Sequence, residues 1–227
     1  MTKTLFVSDL HGRISWYEKL FSTIESEKPA VVLLGGDLFP HPLRESAEYP
    51  NFISDFLRPN FLDLKQSLGD NYPCIMLIMG NDDYRSFETD LITAGKNRLW
   101  EYIHFKKISA YNHIIAGYSY VPPTPFQLKD WERYDVSRYV DPGCVSPEEG
   151  LHSTETEVQE RRYSTIQKDL ETLFGEEDLK NTICLFHSPP YKTKLDRADL
   201  DGKMIDHVPL DVHVGSIAIQ RFIKQRQ

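Results

Sequence analysis

The sequence predicts a mixed α/β fold in which a sheet is buried on both faces. Three short apolar runs, at 4–8, 30–34 and 74–79, have the length and composition of buried strands. Amphipathic segments lie between them, and this alternation is typical of a sheet that helices cover on both sides. A chain of 227 residues is long enough for one such domain, and we expect a single domain over 1–227.

The predicted helices of the first half follow from the spacing of apolar residues. Residues 13–27 carry apolar side chains three and four positions apart, which indicates a helix with one buried face. Residues 54–68 show a similar stripe, but Pro59 lies inside it. Proline removes a helical hydrogen bond and clashes with the preceding turn, so we expect a kink or a break there.

The second half is predicted to be less regular. Segments 103–108 and 113–118 flank Tyr111-Asn112 and indicate a hairpin. Residues 121–150 are rich in proline, glycine and charge, and we interpret the region around 121–152 as a loop-rich insertion over one end of the sheet, with a substrate lid as one hypothesis for its role. A charged helix (154–174), a buried strand (182–186) and a last helical segment (217–223) complete the prediction.

Composition and charge narrow the class of protein. The net charge of −8 argues against an extended nucleic-acid surface, which requires a basic face. It still permits a small anionic substrate, because a metal site can reverse the local field. The N-terminus lacks the pattern of a signal peptide and no apolar stretch has the length of a membrane span, so we expect a cytoplasmic protein without a membrane partner.

The cysteines are not expected to form a disulfide framework or a zinc site. There are three, Cys74, Cys144 and Cys184, and no two stand at the spacing of a thiolate zinc site. Cys74 and Cys184 lie in apolar runs, where a cysteine is most often a small core residue.

Polar residues follow four of the predicted strands directly. Asp9 and His11 follow the first strand, Asp37 the second, Asn81 the third, and His187 the strand at 182–186. Ligand sites of open α/β sheets lie at the carboxyl ends of the strands, so these residues are expected to converge. Carboxylate, imidazole and amide oxygen are ligands for Mn, Fe, Zn or Mg. Glycines beside them let the backbone turn sharply.

Each of these residues alone has a structural explanation. Asp37 could cap a helix or occupy a turn, and Asn81 could be a turn residue. His187 could be a hydrogen-bonded core histidine. Their joint occurrence, each directly after a strand, favours a metal site.

The series Asp9-x-His11, Gly36-Asp37, Gly80-Asn81 and His187 resembles the motifs of the calcineurin-like metallophosphoesterases, in particular the small prokaryotic branch. The resemblance implies a four-layer α/β/β/α sandwich with two divalent metal ions, of which Mn is favoured. It implies that Asp9 and His11 bind one metal, that Asp37 bridges both, and that Asn81 and His187 bind the other. It also implies hydrolysis of a small phosphate ester by a metal-bridging hydroxide, with Asn81 holding a phosphate oxygen.

The first departure from the family pattern is Asp82, which occupies the position where the family has a histidine. A carboxylate repels a doubly charged phosphomonoester, so Asp82 favours diesters or aryl esters. It could act as a general acid only if its pKa were raised. Alternatively, Asp82 points away and caps the following helix.

The second departure is the lack of the Gly-His-x-His motif, whose two histidines complete the ligand sets of both metals in the family. We expect the final strands of the sandwich to be missing and the chain to be truncated after Gln227, unless the protein functions without them. His207 or His213 could supply a replacement ligand, although a role in a surface loop or in helix packing is the alternative. An incomplete site would be under-occupied, and the competing hypothesis is a non-catalytic binding or scaffold protein on this fold.

Overall fold

The computed structural model of the chain describes residues 2–41, 49–198 and 212–226, together with the backbone of two short strands at 204–205 and 208–209. The chain divides into two compact units. The first comprises Met1–Ser119 and Asn181–His187, and the second comprises Tyr120–Lys180 and Ser188–Gln227. In these described parts, no helix has the length and apolar character needed to cross a membrane.

The first unit contains a four-stranded parallel sheet in the order β1-β2-β3-β4. Its strands are β1 (Thr4–Val7), β2 (Val31–Gly35), β3 (Cys74–Ile78) and β4 (Glu101–Tyr102). All five residues of β2 are buried, as a central strand requires. The three strands predicted in the first half are confirmed, and all end at the same edge of the sheet.

Helices α1 (Ile14–Glu27), α2 (Arg58–Leu68) and α3 (Glu88–Ala94) complete the first half of the chain. The predicted helix 54–68 is present, and its hydrogen-bonding pattern changes next to Pro59. A π-helical segment, Phe52–Leu57, runs directly into α2, in which proline occupies the first turn. Leu57 and Arg58 both keep helical backbone at this junction, and Arg58 N–H donates to Ile53 O. Rings from α1, the π-helical segment and α2 pack together around the buried Tyr17.

A second sheet of the same unit has the order β5-β6-β7. Strands β5 (Lys106–Ala110) and β6 (His113–Tyr118) form the predicted hairpin, and β7 (Thr182–Phe186) pairs with β6 in parallel. Tyr111 and Asn112 both have positive φ, 47° and 65°. That backbone matches the two-residue turn whose twist suits a hairpin.

The core of the first unit lies between its two sheets. Its buried members come from both: Val31, Leu33, Met76, Ile78, Ile103, Ile115 and Leu185. The expectation that Cys184 is a core residue is wrong, because this side chain is exposed, and Cys74 is half-buried. The next residue along β7, Leu185, points into the core. Cys184 therefore lies on the opposite face of a strand at the end of the sheet order.

The second unit contains α4 (Val158–Tyr163), α5 (Ile166–Phe174) and α6 (Ile217–Arg226), and the short strand pair β8 (Met204–Ile205) and β9 (Val208–Pro209). The single helix predicted over 154–174 is wrong. The chain breaks at Ser164 and Thr165, both extended, and Thr165 caps α5 by accepting a hydrogen bond from Lys168 N–H.

Residues 121–157 carry only isolated bridges in place of helices and strands. This segment is nevertheless built around buried charges. Lys129 and Glu132 have fully buried side chains and form an ion pair of 2.5 Å. Arg133 Nη1 donates to both carboxylate oxygens of Asp169 in α5, at 2.9 and 2.7 Å. Such paired charges stabilise this segment in addition to its buried apolar side chains Val121, Trp131 and Tyr134.

Candidate metal centre

The loops that follow β1 and β2 run side by side at the carboxyl edge of the first sheet. The N–H of Asp9 donates to Gly36 O at 3.0 Å, and that of His11 donates to Asp37 O at 2.8 Å. Asp9, His11 and Asp37 all have left-handed backbone, with φ of 58°, 45° and 53°. Left-handed φ is costly for a residue with a Cβ and is typical of functional sites. The two loops thus turn three polar side chains toward one place.

Asp9, His11 and Asp37 form the first group of the site. Each offers a ligand atom, and these atoms all lie within 4.8 Å of one another. Asp37 is buried, whereas the side chain of Asp9 is 56% exposed. The hydroxyl of Ser8 donates to the carboxylate of Asp9. The group is therefore buried on the side of Asp37 and accessible to solvent on the side of Asp9.

Asp37, Asn81 and His187 form the second group. His187 Nε2 lies 3.1 Å from Asn81 Oδ1 and 3.5 Å from Asp37 Oδ1. The other ring nitrogen, Nδ1, donates to Gly35 O at 2.8 Å. This carbonyl selects the tautomer in which a neutral His187 presents the lone pair of Nε2 to the site. All five residues predicted from the sequence are brought together, and Asp37 belongs to both groups.

Two glycines allow the close approach of these side chains. A Cβ on Gly36 would lie 2.6 Å from His187 Nδ1, and one on Gly80 would lie 2.2 Å from Asp37 Oδ1. Both distances are far below any normal contact. The glycines leave the space that the ligating groups occupy.

Asp82 faces the site. Its Oδ2 lies 3.6 Å from His11 Nδ1, and its backbone N–H donates to Asp37 Oδ1 at 2.8 Å. The next helical turn is preceded by Tyr84, so Asp82 does not cap it. Burial raises the pKa of Asp82, and the charge of Asp37 adds to this, while positive charge on His11, His41 and His187 acts in the opposite direction.

Asp83 is a site residue that sequence reasoning missed. Its side chain is completely buried and accepts hydrogen bonds from the N–H groups of Leu38, Phe39 and Gly80. Burial and the charge of Asp37 raise its pKa to about 7 in spite of these donors. A sequence with two adjacent aspartates does not reveal which one faces inward.

Asp37 and His187 form a buried ion pair in the metal-free chain. Burial opposes charge on both, but the hydrogen bond and charge of Asp37 outweigh it and raise the pKa of His187 to about 9. Reciprocally, burial would raise the pKa of Asp37, and His187 holds it below its ordinary value. His187 thus carries a proton at neutral pH when no metal is bound.

The donor set suits divalent cations. Asp9, Asp37 and Asp82 bring three carboxylates to one place. The imidazoles of His11 and His187 compensate only part of the negative charge of these carboxylates. Oxygen and imidazole nitrogen are the ligands that Mn, Fe, Zn and Mg accept, and a divalent ion would relieve the repulsion among the carboxylates. The residues present therefore fit a metal centre.

We expect metal binding to release about one proton from His187 at neutral pH, because a ligating imidazole must be neutral. The apparent affinity for Mn²⁺ should rise with pH until the pKa of about 9 is reached. Calorimetric titration with Mn²⁺ in two buffers of different ionisation enthalpy measures the released protons. The variant His187→Ala should release about one proton fewer, and equal release by both proteins would contradict the assignment.

The two histidines considered as replacement ligands have different outcomes. His213 belongs to the second unit, where its Nδ1 lies 2.8 Å from Asp196 Oδ1. Asp196 also accepts the N–H groups of Lys192 and Thr193, so this pair organises a loop. His207 lies outside the described residues.

Comparison with known proteins identifies the family of the chain. A sequence model described as calcineurin-like phosphoesterase matches residues 2–214. The protein is thus in the class of metal-dependent hydrolases that act on phosphate esters. Since the match covers most of the 227 residues, the chain belongs to the calcineurin-like phosphoesterase family. The predicted family and its mixed α/β fold are confirmed.

A solved structure supports the fold alone. Thirteen chains match. One crystal structure has a TM-score of 0.53 and 16% identity, over 98% of this chain and 79% of its own. The crystal structure of TT1561 of Thermus thermophilus has a TM-score of 0.48 and 14% identity, over 100% of this chain and 78% of its own. No curated protein matches significantly.

Proposed function

We propose that this chain is a two-metal phosphoesterase that prefers small phosphate diesters and aryl esters. Asp9, His11 and Asp37 would hold one divalent ion, and Asp37, Asn81 and His187 would hold the other, with Mn²⁺ favoured. The membership of Asp37 in both groups supports this arrangement. Bound there, the ions supply Lewis-acid activation of the attacking water and neutralise charge on the phosphate.

The preference for diesters rests on one observation, the position of the Asp82 carboxylate beside His11 and Asp37. Two dications against the carboxylates of Asp9 and Asp37 leave a net positive pocket before a bridging hydroxide is counted, and the carboxylate of Asp82 makes that pocket less positive. A diester carries a single negative charge, so Asp82 repels it less than it repels a phosphomonoester dianion.

Asn81 and Asp82 then have separate tasks. In the metal-free chain, Asn81 Oδ1 lies 3.1 Å from His187 Nε2, and Asn81 Nδ2 donates to Asp82 Oδ1 at 3.2 Å. We assign to Nδ2 the donation of a hydrogen bond to a phosphate oxygen, and to Asp82 the exclusion of doubly charged esters. Aryl leaving groups need little protonation, so hydrolysis of such esters does not require an acid at position 82.

The test compares bis(4-nitrophenyl) phosphate with 4-nitrophenyl phosphate in the presence of Mn²⁺. Wild-type protein should favour the diester. Asp82→His and the neutral control Asp82→Asn should both lower the diester-to-monoester ratio of kcat/KM by about tenfold, the equivalent of one modest charge interaction. Ratios unchanged in both variants would exclude Asp82 as the selecting group.

A second role for Asp82, as general acid, is favoured by its raised pKa. The two roles differ in their dependence on the leaving group. If Asp82 acts as an acid, Asp82→Asn should slow a dialkyl diester, whose alkoxide leaving group needs a proton, far more than it slows the bis-aryl diester. If Asp82→Asn slows both diesters equally, charge selection is the role of Asp82 that remains.

The competing hypothesis of a non-catalytic scaffold makes an opposite prediction. Such a protein would bind less than one ion per chain and would hydrolyse neither ester in excess Mn²⁺. Metal analysis of the purified chain, together with the rate measurements, therefore decides between the two functions.

A further inference from the structure

We propose that Asp83 is a positioning residue that sets the distance between the loop carrying Asp37 and the loop carrying Asn81. This inference rests on the proposed function, in which both loops supply metal ligands. Asp83 itself would touch neither metal nor substrate.

The contacts of Asp83 span both loops. Its Oδ1 accepts the N–H groups of Leu38 and Phe39, each at 2.9 Å. Its Oδ2 accepts the N–H of Gly80 at 2.9 Å and shares that of Leu38 at 3.1 Å. A single carboxylate thus ties the backbone after β2 to the backbone after β3.

These contacts act on the residues next to the ligands. Leu38 directly follows Asp37, and Gly80 directly precedes Asn81. Asp37 is held at a left-handed φ of 53°, a conformation that persists only when its surroundings impose it. Since an error of about 1 Å in a reacting group can cost about a hundredfold in rate, fixing both backbones fixes the metal spacing that catalysis requires.

The site needs a carboxylate at position 83. Three N–H groups converge on the side chain, and the two oxygens of a carboxylate are placed to accept all three. Asparagine would offer one oxygen and would direct its own N–H₂ at one of the backbone donors. A buried N–H left without a partner is costly, so the two loops should move apart at that point.

The buried hydroxyl of Tyr17 completes this connection. It donates to Leu38 O at 2.9 Å, so Leu38 is held through its N–H by Asp83 and through its carbonyl by α1. A second contact between the two loops, from Asp82 N–H to Asp37 Oδ1, uses the ligand carboxylate itself. Asp83 therefore joins the two backbones through a group that leaves the ligand atoms free to bind metal.

The experiment compares Asp83→Asn with wild type by calorimetric titration of Mn²⁺ and by the Mn²⁺ concentration that gives half-maximal hydrolysis. We expect Asp83→Asn to need about ten to a hundred times more Mn²⁺, the range found for residues that orient metal ligands. Its kcat at saturating Mn²⁺ should also be lower. Asp83→Glu keeps the carboxylate and should recover part of the affinity.

The matched control is Ile24→Ala, which removes a buried side chain in the last turn of α1, near the start of β2 and away from the metal loops. It should lower Tm without changing the Mn²⁺ requirement. An unchanged Mn²⁺ requirement in Asp83→Asn, or an equal change in Ile24→Ala, would overturn the proposal. If Asp83→Asn fails to fold, the same comparison is made with Asp83→Glu, where an unchanged requirement and kcat would overturn it.

Failure of the proposed function gives a different result. Wild-type protein would then bind Mn²⁺ in the calorimeter without hydrolysing either ester, or would not bind it at all. If wild-type protein binds Mn²⁺ without hydrolysis, the positioning role of Asp83 is judged from Mn²⁺ affinity alone. If wild-type protein does not bind Mn²⁺, the positioning role is refuted.

Discussion

Replacing Asp37 with asparagine should lower Mn²⁺-dependent hydrolysis of bis(4-nitrophenyl) phosphate by at least about a hundredfold. Loss of an outer residue that merely orients a ligand costs about ten- to a hundredfold, and Asp37 is placed to contact both ions directly. The asparagine side chain would keep the shape of the aspartate but would lose the charge and one acceptor. In the metal-free chain it would also remove the buried partner that keeps His187 protonated.

Steady-state rates at saturating Mn²⁺ measure this effect. His187→Ala should show a comparable loss, because it removes a ligand of the second group. The control pair is Asp70→Asn and His113→Ala, which change an exposed aspartate and an exposed histidine of the same unit. Unchanged rates for Asp37→Asn and His187→Ala would place the catalytic site elsewhere.

Replacing Gly80 with alanine should remove metal binding and destabilise the fold by about 1–3 kcal/mol or more, the range for forcing extra volume into a packed site. The new Cβ would lie 2.5 Å from Asp37 N and 2.6 Å from His187 Cε1. Backbone cannot move aside as a flexible side chain can. The loops of Asp37 and His187 would therefore both have to shift.

The matched control for this variant is Gly69→Ala. Gly69 has a positive φ of 53°, but a Cβ there meets no heavy atom within 4 Å. Because Gly69 has a ψ of −123°, outside the left-handed helical region, this variant should cost about 1–3 kcal/mol through backbone strain alone and should leave Mn²⁺ binding intact. Thermal unfolding and Mn²⁺ titration of the two alanine variants separate strain from steric exclusion. Normal Mn²⁺ binding by Gly80→Ala would contradict the described packing.

The location of the site could be predicted because a parallel sheet imposes it. Asp9, Asp37 and Asn81 each follow an apolar run, and the carboxyl ends of parallel strands share one edge. The roles of Asp82 and Asp83 could not be predicted in this way. They are neighbours with the same side chain, and only the backbone path decides that Asp83 is buried while Asp82 faces His11.

The errors in the fold have equally local causes. The apolar run predicts β7 but does not reveal that this strand lies at the end of the sheet order. The exposure of Cys184 on that strand could therefore not be predicted from the sequence. The break between α4 and α5 depends on Thr165, which caps a helix only because the preceding backbone is extended. In contrast, Pro59 changes the backbone by its own covalent structure, and its effect was predictable.

The left-handed backbone at Asp9, His11 and Asp37 has an evolutionary consequence. Each such position costs about 1–2 kcal/mol for a residue with a Cβ, and glycine would avoid this cost. A mutation to glycine at any of the three would therefore tend to stabilise the chain while deleting a candidate ligand. Stability alone would favour glycine at these three positions, which is the trade-off between stability and function expected where strained side chains bind a ligand.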